Sequence, residues 1–208
     1  MNQKELISSA LKSSMDYEEY KINTENEYNF MESSVSDEKN AAREINLARM
    51  RRIDAQFKPS IKTMEIIRGI DQDLLWIVIS ENWCGDSAQN LPIIAKISTL
   101  SDKINLRIIL RDQNTGFMER YLTSGKRSIL KLVIFNEDHN ELATWGPRPE
   151  SAQALMDKMI RELIEKSERL KRLHLWYAKN KGLDVENEIS NTVKSISIIR
   201  NEYAVNQL

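Results

Sequence analysis

The chain has 208 residues, of which 41% are hydrophobic and 29% charged, and its formal net charge is -1. These values fit one globular unit with a sizeable core, and the balanced charge provides no field that favours nucleic acid or an anionic membrane. A single cysteine, Cys84, excludes an intramolecular disulfide and a cysteine-rich metal site. No secretion signal and no run of roughly 18 apolar residues is present, so we expect a cytoplasmic location.

The first 70 residues are predicted to be helical. Apolar residues recur at spacings of three and four along one face of a helix: Leu47, Met50, Ile53 and Phe57. Pro59 ends that helix, Ser60 is suited to cap the next one, and Gly69 is suited to end it. Several basic residues of this segment would suit an anionic partner, although a solvated helix face is the simpler interpretation: Arg49, Arg51, Arg52, Lys58 and Lys62.

The hydrophobic period changes at residue 74. Three continuous apolar runs predict strands that are buried on both faces: 74–80, 104–110 and 129–135. Helical segments over 86–100 and 117–122 connect these strands, and a polar turn then leads to a short return strand over 141–145. Periodicity alone favours a parallel arrangement of the first three strands.

A long helix is predicted after Pro149 and extends to Tyr177. The leucines and methionine of its predicted buried side follow helical spacing: Leu155, Met159, Leu163, Leu170 and Leu173. Gly182 is expected to end this helix, and Asp184 is suited to cap the last one. The sequence therefore indicates an α/β core with helices at both ends.

The first strand leads directly into residues 83–87, Trp-Cys-Gly-Asp-Ser, and then into a helix that carries Pro92. This order, with a proline eight residues after the cysteine, resembles the active-site turn of thioredoxins. The resemblance covers about residues 71–165. It implies a thioredoxin-like fold, in which a central mixed β-sheet is flanked by helices.

The resemblance also changes the expected sheet. It implies that strand 74–80 is central, that 104–110 runs parallel to it, and that 129–135 runs antiparallel to it. The terminal segments 1–70 and 166–208 resemble the helical extensions of bacterial thioredoxin-like proteins. We expect them to pack on the core as part of one globular unit.

Three positions depart from the dithiol pattern that the resemblance implies. Ser87 stands where a second cysteine would lie, and a hydroxyl neither forms a disulfide nor resolves a mixed one. Val78 stands where the family has a buried acid. Leu130 stands where it has a cis-proline, and a cis bond without proline costs about 2.5–4 kcal/mol, so we expect a trans Ile129–Leu130 bond. Dithiol turnover of the thioredoxin kind is therefore not expected.

The remaining chemistry centres on Cys84. A helix N-terminus favours its thiolate, whereas the nearby charge of Asp86 opposes it. In the implied fold, the loops that carry Arg127 and Arg148 converge on the thiol, where a guanidinium would pair with the thiolate or with a carboxylate of glutathione. The alternative is that both arginines are solvated.

The predicted site residues fall into two groups. The catalytic pair is Cys84 and Ser87. Substrate binding is assigned to four residues around that pair: Trp83, Arg127, Leu130 and Arg148. No metal site and no resident cofactor are expected, and glutathione enters only as a co-substrate.

Two functions are consistent with these residues. The first is a monothiol thiol-disulfide oxidoreductase, whose partners are protein or peptide thiols and disulfides or glutathione. Cys84 attacks a disulfide, forms a mixed disulfide and releases one thiol, and an external thiol such as glutathione then resolves the mixed disulfide. The second is a redox-inactive module, in which loops around Trp83, Arg127 and Trp145 bind a peptide or a protein partner. Neither nucleic acid nor a membrane is expected as a partner, and the oligomeric state stays open.

Overall fold

The computed structural model describes residues 2–31 and 37–205, so parts of the predicted terminal segments lie outside the described residues. Four strands form one mixed sheet in the order β2-β1-β3-β4. Their bounds are β1 Leu74–Ser80, β2 Ile104–Leu110, β3 Lys131–Asn136 and β4 Glu141–Trp145. β1 pairs parallel with β2 and antiparallel with β3, and β4 is antiparallel to β3. The predicted position of 74–80 inside a mixed sheet is therefore confirmed.

The described helices surround this sheet. Before the first strand lie α1 Gln3–Lys12, α2 Tyr17–Met31, α3 Asp37–Gln56 and α4 Ile61–Arg68. Within the core lie α5 Gly85–Ser98 and α6 Thr115–Met118. After the last strand lie α7 Glu150–Arg161, α8 Lys166–Asn180 and α9 Leu183–Val205. None of the helices in this described part of the chain is both long and apolar enough to cross a membrane.

The continuous apolar run of β1 has a direct structural cause. Successive side chains of a strand point to opposite faces of the sheet, and both faces of β1 are covered. One face packs with residues of α5 and α9, and its β1 members are Leu74, Trp76 and Val78. The other face packs with residues of α1 and α6, and its β1 members are Leu75, Ile77 and Ile79. All seven residues of β1 are buried.

The N-terminal segment is joined to the sheet as well as packed against it. Asn2 caps α1 through a reciprocal pair of hydrogen bonds with Glu5. Beyond α1, Met15 forms an antiparallel bridge with Ile108 on the open edge of β2. Ser60 caps α4 by accepting a hydrogen bond from the Thr63 backbone N–H, as its position in the sequence predicts.

The prediction of one long helix after Pro149 is wrong. Two helices, α7 and α8, occupy this region, and they pack against each other as a hairpin with a small apolar cluster between them. The break lies at Leu163, whose backbone is left-handed with a φ of 55° and whose side chain is 88% exposed. Helical spacing continues through the break in the sequence, which explains why periodicity alone missed it.

The predicted helix bounds change at two other places. α6 starts at Thr115 and ends at Met118, earlier than the predicted segment 117–122. Asp184 does not cap α9 but lies in its first turn, where its backbone N–H donates to the Asn180 side chain.

The expected trans bond before Leu130 is also wrong, because the Ile129–Leu130 peptide bond is cis. The expectation considered the dipeptide alone. In the fold, the Leu130 side chain is completely buried in the core, and the preceding carbonyl of Ile129 accepts a hydrogen bond from Cys84. The surroundings of this bond are set by residues distant in sequence.

Candidate functional site

Cys84 lies at the point where β1 passes into α5. It is the N-cap residue of α5, and its Sγ accepts a hydrogen bond from the Ser87 backbone N–H at 3.5 Å. The same sulfur donates to the Ile129 carbonyl oxygen at 3.4 Å. Cys84 is 8% exposed, and it belongs to the apolar cluster that includes Ile79 and Phe117. The thiol therefore points into the core rather than into solvent.

The surroundings of Cys84 favour the neutral thiol. Burial is the largest effect that raises its pKa, and the negative charge of Asp86 raises the pKa further. Hydrogen bonds from Ser87 and from the Asp86 backbone oppose these effects but do not outweigh them. The helix N-terminus thus lowers the pKa of Cys84 as expected, but by less than burial and Asp86 raise it.

The two predicted anion-binding arginines occupy different environments. Arg148 donates from Nη2 to Oδ2 of Asp86 at 2.5 Å, and both side chains are largely buried. Arg127 pairs with Glu119 at 2.5 Å, and both of those side chains are about half exposed. The structure therefore brings Arg148 to the turn around Cys84, but against a carboxylate instead of the thiol. Arg127 is engaged elsewhere.

Asp86 anchors a network that the sequence did not reveal. The Tyr177 hydroxyl donates to Oδ1 of Asp86 at 2.7 Å, and Asn90 Nδ2 donates to the Tyr177 oxygen at 3.1 Å. Burial and the charge of Asp86 raise the pKa of Tyr177. The only signal in the sequence was the position of Asp86 beside the cysteine, because its partners lie on distant segments.

His174 lies on the same side of the turn. Its Cε1 would be 3.1 Å from a Cβ placed on Gly85, and its Nδ1 is 3.4 Å from Gln89 Nε2. Burial, followed by the charges of Arg49 and Arg148, lowers the pKa of His174 to about 4. The imidazole is therefore neutral at pH 7, and it fills the space that the absence of a side chain at Gly85 leaves open.

The other predicted contact residues differ in accessibility. Trp83 is 42% exposed, and the Arg111 guanidinium lies 4.8 Å from its ring centroid in a cation–π arrangement. Leu130 is completely buried, so it offers no surface to a substrate. The Ser87 hydroxyl is also buried. Trp145 is buried and donates from Nε1 to Glu188 on α9, so it does not offer the binding surface that the module hypothesis assigned to it.

A groove of about 680 Å³ lies beside the turn, between loop 123–128 and α7. Its lining includes Ser128, next to Ile129, and Arg148, the partner of Asp86. Met156 and Ile160 supply apolar surface on the α7 side. Among the described residues, no group of three or more His, Cys, Asp or Glu side chains is placed to hold a metal ion.

Comparisons with known proteins agree with this architecture. The family model Thioredoxin_9, described as thioredoxin, matches residues 32–161. A protein of unknown function, PA1234 from Pseudomonas aeruginosa, has a similar solved structure, with a TM-score of 0.53, 17% identity and coverage of 78% of this chain and 87% of that chain. The HIV epitope-scaffold 4E10_S0 has a TM-score of 0.58, 16% identity and coverage of 90% and 97% respectively. None of the curated proteins matches the sequence.

Proposed function

Because the chain belongs to the thioredoxin family and its single thiol is buried, we propose that it is a redox-inactive thioredoxin-fold module that binds a peptide segment of a partner protein. The observation that carries this proposal is the environment of Cys84. Its sulfur donates to a backbone carbonyl, its pKa is raised, and Arg148 pairs with Asp86 instead of the thiol. A thiol in this state is a poor nucleophile.

The rival function, a monothiol oxidoreductase, needs a thiolate that an incoming disulfide can reach in line. Arg148 was predicted from the sequence to pair with the thiolate, but Asp86 already neutralises it. Ser87 donates to the sulfur through its backbone N–H, and its side chain cannot supply a resolving thiol. Hydrogen bonds to the sulfur at a helix N-terminus, from Ser87 and from the Asp86 backbone, favour the enzyme.

The groove between loop 123–128 and α7 supports peptide binding. It combines apolar side chains of α7, Met156 and Ile160, with polar groups of the opposite loop such as Ser124 and Ser128. Such a mixture suits an extended segment, whose side chains bury apolar surface while its backbone forms hydrogen bonds. Binding in this groove requires no chemistry at Cys84.

The pH dependence of Cys84 alkylation tests the redox part of the proposal. We expect a midpoint above the ordinary thiol value of about 8.5 and no adduct in the intact mass after treatment with oxidised glutathione. The protein unfolded in guanidinium chloride is the control for reagent access. A midpoint below about 7.5, together with one glutathione per chain that is lost in Cys84→Ser, would establish the monothiol enzyme instead.

A peptide selection tests the binding part. Peptides selected from a random library against the wild-type protein should lose most of their affinity for Ile160→Glu, because a charge is placed on the apolar wall of the groove. Leu163→Glu is the matched control, since Leu163 is more exposed and does not line the groove. Equal effects of the two substitutions would show that the peptides bind elsewhere.

A further inference from the structure

A second cavity lies away from the groove, between α3, α5 and the junction of α8 with α9. Its volume is about 160 Å³, close to the size of cavities of about 150 Å³ that hold benzene. Its apolar lining comes from two segments, the end of α3 with Ile53 and Phe57, and α5 with Ile93. At the junction, Gly182 has a φ of 86°, and a Cβ there would lie 2.6 Å from Ile93 Cδ1. Bare backbone therefore forms this part of the wall.

The polar lining of this cavity carries charge of one sign. Arg52 and Lys181 line it, and its described lining contains no acidic residue. Arg52 and Lys181 are both exposed. Within the described residues, neither makes an ion pair or a side-chain hydrogen bond. The neighbouring Arg51 differs, because it pairs with Glu25 at 2.8 Å and does not line the cavity.

The region around the cavity is also electropositive. Burial, followed by the charge of Arg52, lowers the pKa of Arg49. His174, whose neighbour Gln89 lines the cavity, has its pKa lowered by burial and then by two arginines. Asp86, which faces the same side of α5, is already paired with Arg148. The unmatched positive charge favours an anionic ligand.

We propose that this cavity binds a small aromatic carboxylate, with its ring between Ile53, Phe57 and Ile93 and its carboxylate near Arg52 and Lys181. The apolar lining accommodates a single ring, and the two free cations complement one negative group. None of these residues lines the groove between loop 123–128 and α7. The site therefore shares no lining residue with the groove proposed for peptide binding.

A titration with benzoate, followed by backbone amide NMR of the full chain, tests this site. We expect saturable shifts centred on Ala178 and Gly182, which line the cavity. Benzamide has the same shape without the charge, so it should bind about tenfold more weakly. Acetate has the charge without the ring and should cause no saturable shift at the same concentrations. Equal binding of benzoate and benzamide would overturn the proposal.

Matched charge variants locate the ligand. Arg52→Gln and Lys181→Gln should each weaken benzoate binding by about three- to tenfold and leave benzamide binding unchanged. Arg51→Gln removes the same charge from the adjacent residue outside the cavity and should leave benzoate binding unchanged. An equal loss of benzoate affinity in Arg51→Gln would show that net charge, not the cavity, causes the binding. An absence of saturable shifts in the wild-type protein would show that the cavity binds no such ligand. Either result overturns the proposal.

Discussion

The two sides of the first turn of α5 differ sharply in chemistry. On one side, the Cys84 thiol is buried among apolar residues and donates to the Ile129 carbonyl. On the other side, Asp86 accepts hydrogen bonds from Arg148 and Tyr177. The charged groups of the turn thus connect α5 to α8 and to the loop before α7, and the guanidinium of Arg148 pairs with Asp86 instead of the thiol. The turn has the thioredoxin arrangement, but its charged residue Asp86 holds neighbouring segments together instead of activating the thiol.

Arg148 and Arg127 extend this comparison. Both pair with a carboxylate at 2.5 Å, but the Arg148 side chain is 16% exposed and the Arg127 side chain is 54% exposed. Solvent screens the exposed pair, whereas loss of one partner from the buried pair leaves an uncompensated charge. Equal distances therefore correspond to very different contributions to stability.

The largest expected effect comes from Asp86→Asn. This change leaves the buried guanidinium of Arg148 without a counter-charge, and we expect the free energy of unfolding to fall by about 3 kcal/mol. Chemical denaturation with guanidinium chloride measures the loss. The alkylation midpoint of Cys84 should also move to lower pH, because the charge of Asp86 is one cause of its raised pKa.

Glu119→Gln is the matched control for that change. It removes the carboxylate partner of Arg127 at a half-exposed position, so the free energy of unfolding should change by less than about 1 kcal/mol. Similar losses in Asp86→Asn and Glu119→Gln would refute the contrast between the buried and the exposed pair.

Tyr177→Phe should have an intermediate effect. The hydroxyl donates to Asp86 and accepts from Asn90, so its removal leaves two buried polar groups with one partner fewer. We expect a loss of about 2 kcal/mol in the same denaturation experiment. In the double variant Asp86→Asn, Tyr177→Phe, the two losses should not add, because both residues belong to one network. Full additivity would show that the hydroxyl and the carboxylate act separately.

Apart from the Glu119→Gln control, the smallest expected effect concerns His174 and depends on pH. The unfolded chain binds a proton at this residue below about pH 6.5, whereas the folded chain binds it only near pH 4. The neutral imidazole therefore makes its full contribution to the free energy of unfolding above about pH 6.5, and this contribution is lost as the pH falls toward 4. Relative to His174→Gln, the wild-type protein should lose about 1 kcal/mol between pH 7.5 and 4.5, a value reduced to allow for partial solvent exposure.

Denaturation curves of both proteins at the two pH values measure this difference. The two proteins share every carboxylate, so general acid destabilisation cancels in the comparison. A constant stability difference across the pH range would mean that folding does not lower the pKa of His174.

Hydrophobic periodicity was enough to predict where the strands lie, and the resemblance to thioredoxins then predicted which strands are neighbours. The apolar run of β1 is long enough to require cover on both faces, and Ser60 and Gly69 mark helix ends through local backbone chemistry. The motif around Cys84 then distinguished the mixed sheet from an all-parallel one by its resemblance to thioredoxins. These features depend on residues close together along the chain.

Three features could not be predicted from the sequence and were seen only in the folded chain: the break between α7 and α8, the cis bond before Leu130 and the partners of the charged residues. Helical periodicity continues through Leu163, so no local pattern marks the end of α7. The partners of Asp86 are 62 and 91 residues away in the sequence. The pKa of Cys84 depends chiefly on burial, which only the folded chain creates, and for that reason the sequence left open whether its thiol is reactive.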